Sequence, residues 1–329
     1  MTPPVASPAV ASVAAAAGQA SGFAADVRHF LGQRPRQLPS RYLYDDLGSA
    51  LFEAICRLPW YPLTRAEDRL LDVHARDILD GRVAAVLELG PGSGEKLSAL
   101  LAGAGPGRGP LDLHLVDVSG SALDQAGRTL RKHPRVRIVP HRMTYENGLQ
   151  EFARLRFAPG ERLAIFLGSN IGNFDPRGRD LFLGRVRSSL QRGDALLLGV
   201  DLVKPERDLL LAYDDPLGVT AAFNLNLLAR INRELRGDFD LAGFEHRALW
   251  NAGASRIEMH LRSRTRQRIA VRDAGLAFVM VPGETIWTES SYKYRPAEIA
   301  AMLERAGFRV RAQWIDSVDP FALTLADTV

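Results

Sequence analysis

The apolar run Ala84-Ala85-Val86-Leu87-Glu88-Leu89 leads straight into Gly90-Pro91-Gly92-Ser93-Gly94, and a second run, Leu113-His114-Leu115-Val116, ends on Asp117. Glycines at a strand end let the backbone pass close to a ligand, and a carboxylate at the tip of the next strand can accept hydrogen bonds from both hydroxyls of a ribose. Strand, glycine turn, helix, strand and acid form the front half of a nucleotide-binding α/β unit. The spacing sorts the possible nucleotides. A Walker-type phosphate loop needs Gly next to Lys and then Ser or Thr, but Glu95 separates Gly94 from Lys96, and Leu97 follows. The dinucleotide fingerprint places its third glycine where Glu95 stands, and an anion at the mouth of that helix repels a pyrophosphate. S-adenosylmethionine carries a sulfonium cation and no phosphate, yet still presents adenine and a ribose diol. The loop suits that cofactor, with Gly90, Gly92 and Asp117 as candidate contacts.

The surrounding pattern supplies a frame for these residues. Strands are expected over Val86–Leu89, Leu113–Asp117, Val136–Pro140, Leu163–Leu167 and Ala195–Val200, with helices over Lys96–Leu101 and Ser121–His133 between them. Asp175 and Pro176 open a further helix as N-cap and first-turn proline. Strands separated by helices imply an α/β, Rossmann-like, doubly wound parallel sheet. Its crevice lies at the carboxyl ends of the strands, where Gly90, Asp117, Tyr145, Asn173 and Asp201 all fall. From Pro205 the alternation stops. Asp208–Leu235 reads as helix broken near Asp215-Pro216, Arg256–Val271 as one antiparallel strand, and Ala277–Val281 and Thr285–Thr288 as further β runs. Helix Ala297–Ala306 and strands Arg309–Trp314 and Phe321–Leu325 then close the sheet. The expected division is a core of residues 81–205 plus 295–329 and an α+β substrate-binding lobe of 23–80 plus 206–294.

Composition excludes several classes. The chain has 329 residues, a hydrophobic fraction of 46% and a net charge of only +4 at a pI near 9.4, with its basic residues dispersed, so no nucleic-acid footprint is expected. A single cysteine, Cys56, excludes an internal disulfide and a multi-cysteine zinc site; it sits in an apolar-periodic run and reads as structural. Glu258 and His260 lack a third ligand in sequence, so no metal is expected. No apolar stretch is long enough to span a membrane. Residues 1–22 are low in complexity and read as a disordered tail without the charge pattern of a signal peptide. A cytoplasmic monomer is the resulting expectation.

Beyond the glycine loop, a set of ordered strings carries a family resemblance. Arg41-Tyr42-Leu43-Tyr44-Asp45-Asp46-Leu47-Gly48, Leu58-Pro59-Trp60-Tyr61-Pro62-Leu63-Thr64-Arg65-Ala66-Glu67, Gly168-Ser169-Asn170-Ile171-Gly172-Asn173-Phe174, Ala212-Tyr213-Asp214-Asp215, Val219-Thr220-Ala221-Ala222-Phe223-Asn224 and Thr288-Glu289-Ser290-Ser291-Tyr292-Lys293-Tyr294 together resemble the ergothioneine-pathway L-histidine Nα-methyltransferases. The resemblance spans Tyr42 to Leu325. It implies an enzyme that uses S-adenosylmethionine to trimethylate the α-amine of histidine, giving the betaine hercynine. The alternative acceptor is another amino acid or a small amine.

By the same resemblance, Gly90, Lys96 and Asp117 fall at cofactor-binding positions, and Thr144-Tyr145 falls where the family usually has Asp-Phe against the adenine. Threonine there gives up charge assistance in the contact with the adenine amino group. Tyr61, Asn173, Tyr213, Glu289 and Ser291 match histidine-contacting positions, with Tyr61, Asn173 and Tyr213 nearest the reacting amine and Met259 as an apolar wall. The string Trp60-Tyr61-Pro62 departs from the family's Glu-Tyr-Tyr. Glu289 and Ser291, two apart on an extended segment, point to one side and can hold the two imidazole nitrogens. Taken alone, each residue type has a commoner fate: Asn173 as turn chemistry, Tyr213 on a helix face, Glu289 as an edge charge and Met259 as core.

Overall fold

The computed structural model describes residues 19–104 and 110–329. In chain order its elements are α1 (Gln19–Gly32), β1 (Arg36–Gln37), α2 (Asp46–Cys56), α3 (Leu63–Ile78), β2 (Ala85–Leu89), α4 (Glu95–Ala104), β3 (Leu111–Asp117), α5 (Gly120–Leu130) and β4 (Val136–Arg142). Then come α6 (Tyr145–Ala153), β5 (Arg162–Phe166), α7 (Pro176–Ser189), β6 (Ala195–Asp201), α8 (Glu206–Tyr213), α9 (Val219–Leu235) and β7 (Phe244–Asn251). The chain finishes with β8 (Arg256–Ser263), β9 (Gln267–Val271), β10 (Leu276–Met280), β11 (Thr285–Tyr292), α10 (Pro296–Arg305), β12 (Phe308–Ile315) and β13 (Phe321–Thr328). The expected low-complexity tail falls in residues 1–18, outside the described residues, except for 19–22, which open α1.

Two compact units result, one of residues 1–62, 172–175 and 204–293, the other of residues 63–171, 176–203 and 294–329. The second holds a seven-stranded sheet in the order β12-β13-β6-β5-β2-β3-β4, in which β2 to β6 run parallel and β13 returns antiparallel beside β6. Every residue of β2, β5 and β6 is buried, which is why these strands are near-continuous apolar runs: helices cover both faces of a parallel sheet. Helix α3, grouped by sequence with the substrate lobe, belongs to this unit. It buries Leu63, Ala66, Glu67, Leu70, Leu71, Ala75 and Ile78 along one stripe and packs on α4 and β13. Beneath the sheet, Arg162 and Asp194 form a fully buried ion pair at 2.7 Å, and Asp194 also accepts the backbone N–H of Gly160 and Gln191.

The first unit is built on a four-stranded sheet, β1-β11-β8-β7, with β9 and β10 as a separate hairpin. Asp45 caps α2 by accepting the N–H of Gly48 at 2.7 Å, and also accepts Asn226 and Arg233 of α9, which ties the two helices together. The expected helix break near Asp215 is real: Asp215 accepts the N–H of Val219 and Thr220 and starts α9. Arg256–Val271, expected as a single strand, is instead β8 and β9 in different sheets. The Arg264 N–H bonds the Gly243 carbonyl and the Ser263 hydroxyl donates to the Thr265 carbonyl, so the chain turns where the sequence alternation continues. The unexpected strand β7 pairs along the whole of β8.

The strongest stability consequence lies in the buried pair. Asp194→Ala leaves the Arg162 guanidinium without its counter-ion, and the expected loss is about 3–5 kcal/mol, measurable as a lowered midpoint in thermal or urea unfolding followed by circular dichroism.

Candidate functional site

In the sheet unit the glycine turn follows β2 as the sequence requires. Gly90 has φ +75° and its N–H bonds the Val116 carbonyl; a Cβ there would lie 2.5 Å from the Tyr145 phenol oxygen. Gly92 is also left-handed, at φ +53°, and Glu95 opens α4. Asp117 ends β3, where one carboxylate oxygen accepts the Ser119 N–H at 2.8 Å; burial pushes its pKa up, partly offset by backbone N–H groups. Thr144 is the N-cap of α6, its hydroxyl accepting the Asn147 N–H at 3.4 Å. The Tyr145 ring packs edge-on to Phe166. Gly90, Asp117 and Tyr145 therefore sit at adjoining strand ends.

Two residues here escaped the sequence reading. Glu67 of α3 is fully buried; its carboxylate accepts the Gly168 N–H at 2.9 Å and the Lys96 ammonium. A Cβ on Gly199 of β6 would lie 1.9 Å from the same carboxylate, so Gly199 is the space Glu67 occupies. Lys96 is thus held at the loop that follows β5. That loop continues through Ser169, a non-glycine at φ +57°, whose hydroxyl oxygen accepts the Asp201 N–H at 3.0 Å and fixes the strained backbone. Glu88, one residue before the turn, is buried with one carboxylate oxygen lacking a hydrogen-bond partner; burial pushes its pKa up to about 7 against the opposing pull of Lys96. The signal for both was an acid inside an apolar stripe, at Glu67 in Leu63-Thr64-Arg65-Ala66-Glu67 and at Glu88 in Val86-Leu87-Glu88-Leu89.

In the other unit, β11 carries the residues that the sequence pattern suggests for the acceptor side. Its register against β8 shifts between Trp287 and Glu289, so Thr288 is an extra residue and its hydroxyl donates to the Met259 carbonyl at 3.0 Å. Trp287 pairs with His260 and points with it to one face, where it is buried with Arg256 over the indole. After the bulge, Glu289 pairs with Met259 and Ser291 with Ile257, on the opposite face, also buried. Glu289 is 6% exposed; burial pushes its carboxyl up to about 7, and Lys293 opposes that rise.

Tyr213, at the end of α8, shares a 2.8 Å hydrogen bond with Ser291, and the Lys293 ammonium donates to both oxygens at 2.8 Å. The Tyr61 ring meets the Tyr213 ring edge-on at 6.0 Å, within an aromatic cluster completed by Phe52, Phe223 and Tyr44. The backbone of Tyr213 is anchored in turn, its carbonyl accepting from His246 Nε2, while Asn224 Nδ2 donates to His246 Nδ1 at 2.9 Å. Tyr61, Tyr213, Met259, Glu289 and Ser291 thus gather around one sheet face. Asn173 ends the 3-10 turn 170–173, half-buried. Lys293 is the member of this group that sequence reasoning passed over, although it stands two residues beyond Ser291 on the same alternation.

The residues of the sheet unit fit S-adenosylmethionine: a left-handed glycine turn open to close approach, a buried carboxyl at Glu88 with an unpartnered oxygen, Asp117 at the next strand tip, and an acid, Glu95, where a phosphate would need a donor. Fold and site define a Rossmann-like methyltransferase dependent on that cofactor. The family model of histidine-specific, S-adenosylmethionine-dependent methyltransferases matches residues 23–328, and the chain belongs to that family; its activity is the N-methylation of histidine. It is 41% identical to the histidine N-alpha-methyltransferase of Mycolicibacterium smegmatis over 96% of this chain and 98% of that one. The Mycobacterium tuberculosis protein of the same name is likewise 41% identical, over 96% and 98%. A more distant relative, the L-tryptophan methyltransferase of Psilocybe serbica, is 27% identical over 88% of this chain and 87% of its own.

Gly90→Ala adds a Cβ at a left-handed position against the Tyr145 phenol, and is expected to weaken S-adenosylmethionine binding by about tenfold or more, while Asp117→Ala removes a charge-assisted acceptor at a cost of about 1.5–3 kcal/mol. Isothermal titration of each variant with the cofactor checks both, and wild-type affinity in Asp117→Ala would remove it from the ribose site.

Proposed function

We propose that the protein transfers three methyl groups in succession from S-adenosylmethionine to the α-amine of L-histidine, giving hercynine for ergothioneine biosynthesis, as a monomer in the cytoplasm. The observation that carries the reading is the buried pair Glu289 and Ser291 on one face of β11, opposite Met259: an anionic acceptor and a hydroxyl spaced for the two nitrogens of an imidazole, beside an apolar wall. The names of the two mycobacterial relatives support the α-position of the transfer.

The cofactor, when bound, supplies an electrophilic methyl carbon on a sulfonium. Gly90, Gly92, Lys96, Asp117, Thr144 and Tyr145 hold it in this reading. What remains for the chain is aim and proton removal. Displacement at carbon needs a free amine lone pair, and each pKa unit by which the amine lies above ambient pH costs about 1.4 kcal/mol. Tyr61, Asn173 and Tyr213 orient the amine and bind the substrate carboxylate, and water takes the proton. Much of the rate then comes from positioning. The ionised Glu289 is the stronger acceptor for a ring N–H, so the contact is fully present above its pKa and weakens as pH falls through about 7.

Mass spectrometry of the protein incubated with S-adenosylmethionine and an equimolar mixture of amino acids tests the reading directly. Histidine gaining one, two and then three methyl groups is the expected result; a different methylated amino acid would overturn the acceptor assignment. Glu289→Ala should raise the histidine KM by about tenfold or more while leaving cofactor affinity unchanged. In the wild type, kcat/KM for histidine should steepen below about pH 7, falling by up to roughly a further tenfold per pH unit beyond the slope set by the amine, a profile read from initial rates.

A further inference from the structure

β11 ends at Tyr292, and the next residue is Lys293, whose backbone N–H bonds the Ser255 carbonyl and whose side chain is 2% exposed. A lysine is almost never buried this deeply unless its ammonium is partnered, and here it donates to Tyr213 Oη and Ser291 Oγ, both at 2.8 Å. The two hydroxyls are themselves 2.8 Å apart. One hydroxyl donates to the other. With the ammonium donating to both oxygens, the remaining hydroxyl hydrogen has no acceptor inside the triad and is directed out of it. We propose that Lys293 is a specificity-determining positioning residue: it turns the Tyr213–Ser291 pair into a fixed hydrogen-bond donor, so that the pocket offers an acceptor, Glu289, to one ring nitrogen and a donor to the other, and selects the neutral form of an imidazole. This rests on the histidine reading above.

The choice of cation agrees with that role. The chain contains four lysines against 38 arginines. A guanidinium is a planar fork suited to carboxylates, whereas an ammonium is a compact point charge that can serve two hydroxyl oxygens from one nitrogen. An imidazolium would bring a second N–H toward hydroxyls already polarised by a cation, which disfavours the charged ring. The other charged groups near this strand are spoken for or turned away: Glu258, His260 and Arg256 of β8 form their own cluster on the opposite face, and His246 of β7 is engaged with the Tyr213 carbonyl and lies 4.0 Å from Asp214. Lys293 is the charge that acts on Glu289.

Lys293→Met and Lys293→Gln in the full-length protein test the proposal. For both, histidine kinetics are measured from pH 6 to 9 and cofactor affinity by calorimetry. The expected result is a rise in histidine KM of about tenfold with little change in kcat and cofactor affinity, since a charged hydrogen-bond partner is lost on the acceptor side alone. The acid limb of kcat/KM should also move to higher pH, because Glu289 loses its opposing cation; titration of the substrate's own ring does not move. Adding Ser291→Ala to Lys293→Met should cost little more, because both act through one donor. A folded, cofactor-binding variant with wild-type KM and an unmoved acid limb would overturn the inference, and Lys293→Gln decides if Lys293→Met does not fold. Failure of the wild type to methylate histidine would instead sink the underlying reading.

Discussion

A single extra residue in β11 governs which side chains reach the sheet face that Tyr213 borders. A regular strand sends residues two apart to the same face, so Trp287, Glu289 and Ser291 would share one. The bulge at Thr288 breaks that rule and is pinned by the bond from its hydroxyl to the Met259 carbonyl. Trp287 takes the opposite face, buried beside His260 and Arg256, and the polar row Glu289, Ser291 and Lys293 turns toward the face of Met259 and Tyr213. Burying such a row is unfavourable unless its members satisfy one another. The ammonium, the serine and the Tyr213 phenol do so, which couples the end of α8 to the strand.

The sheet unit applies the same logic with a different set of groups. Glu67 projects from an otherwise apolar helix stripe into the interior and meets a backbone N–H and a lysine there. A buried carboxylate that accepts from an amide and an ammonium becomes an anchor. Through it α3 fixes the left-handed Gly168, and through Ser169 the loop after β5 is latched to the end of β6. Glu88 differs because one of its oxygens is left without a protein partner beside the glycine turn.

Much of this was legible in the sequence. Parallel strands buried on both faces write themselves as apolar runs, and glycine, aspartate and proline punctuate their ends, so the five central strands and the cofactor loop could be read directly. The family became legible through ordered strings such as Thr288-Glu289-Ser290-Ser291 rather than through periodicity. What stayed hidden was set by tertiary pairing: Arg256–Val271 alternates without interruption although the chain turns at Arg264, and nothing in Phe244–Asn251 announces β7 before β8 is there to pair with it. Helix α3 reads as amphipathic in either unit, and only its packing on α4 and β13 assigns it. Lys293 stayed unread because one of the partners that make its burial tolerable, Tyr213, comes from α8, some eighty positions earlier.

The contact between Gly199 and Glu67 ties two distant positions into one unit of inheritance. Any larger side chain on the middle of β6 would have to displace the carboxylate 1.9 Å from where its Cβ would be, and any shorter residue at position 67 would leave a void beside the glycine. Lineages that change one should therefore change the other, so that the pair drifts together or not at all, and a redesign of this scaffold for a new amine would need to treat them as a single choice.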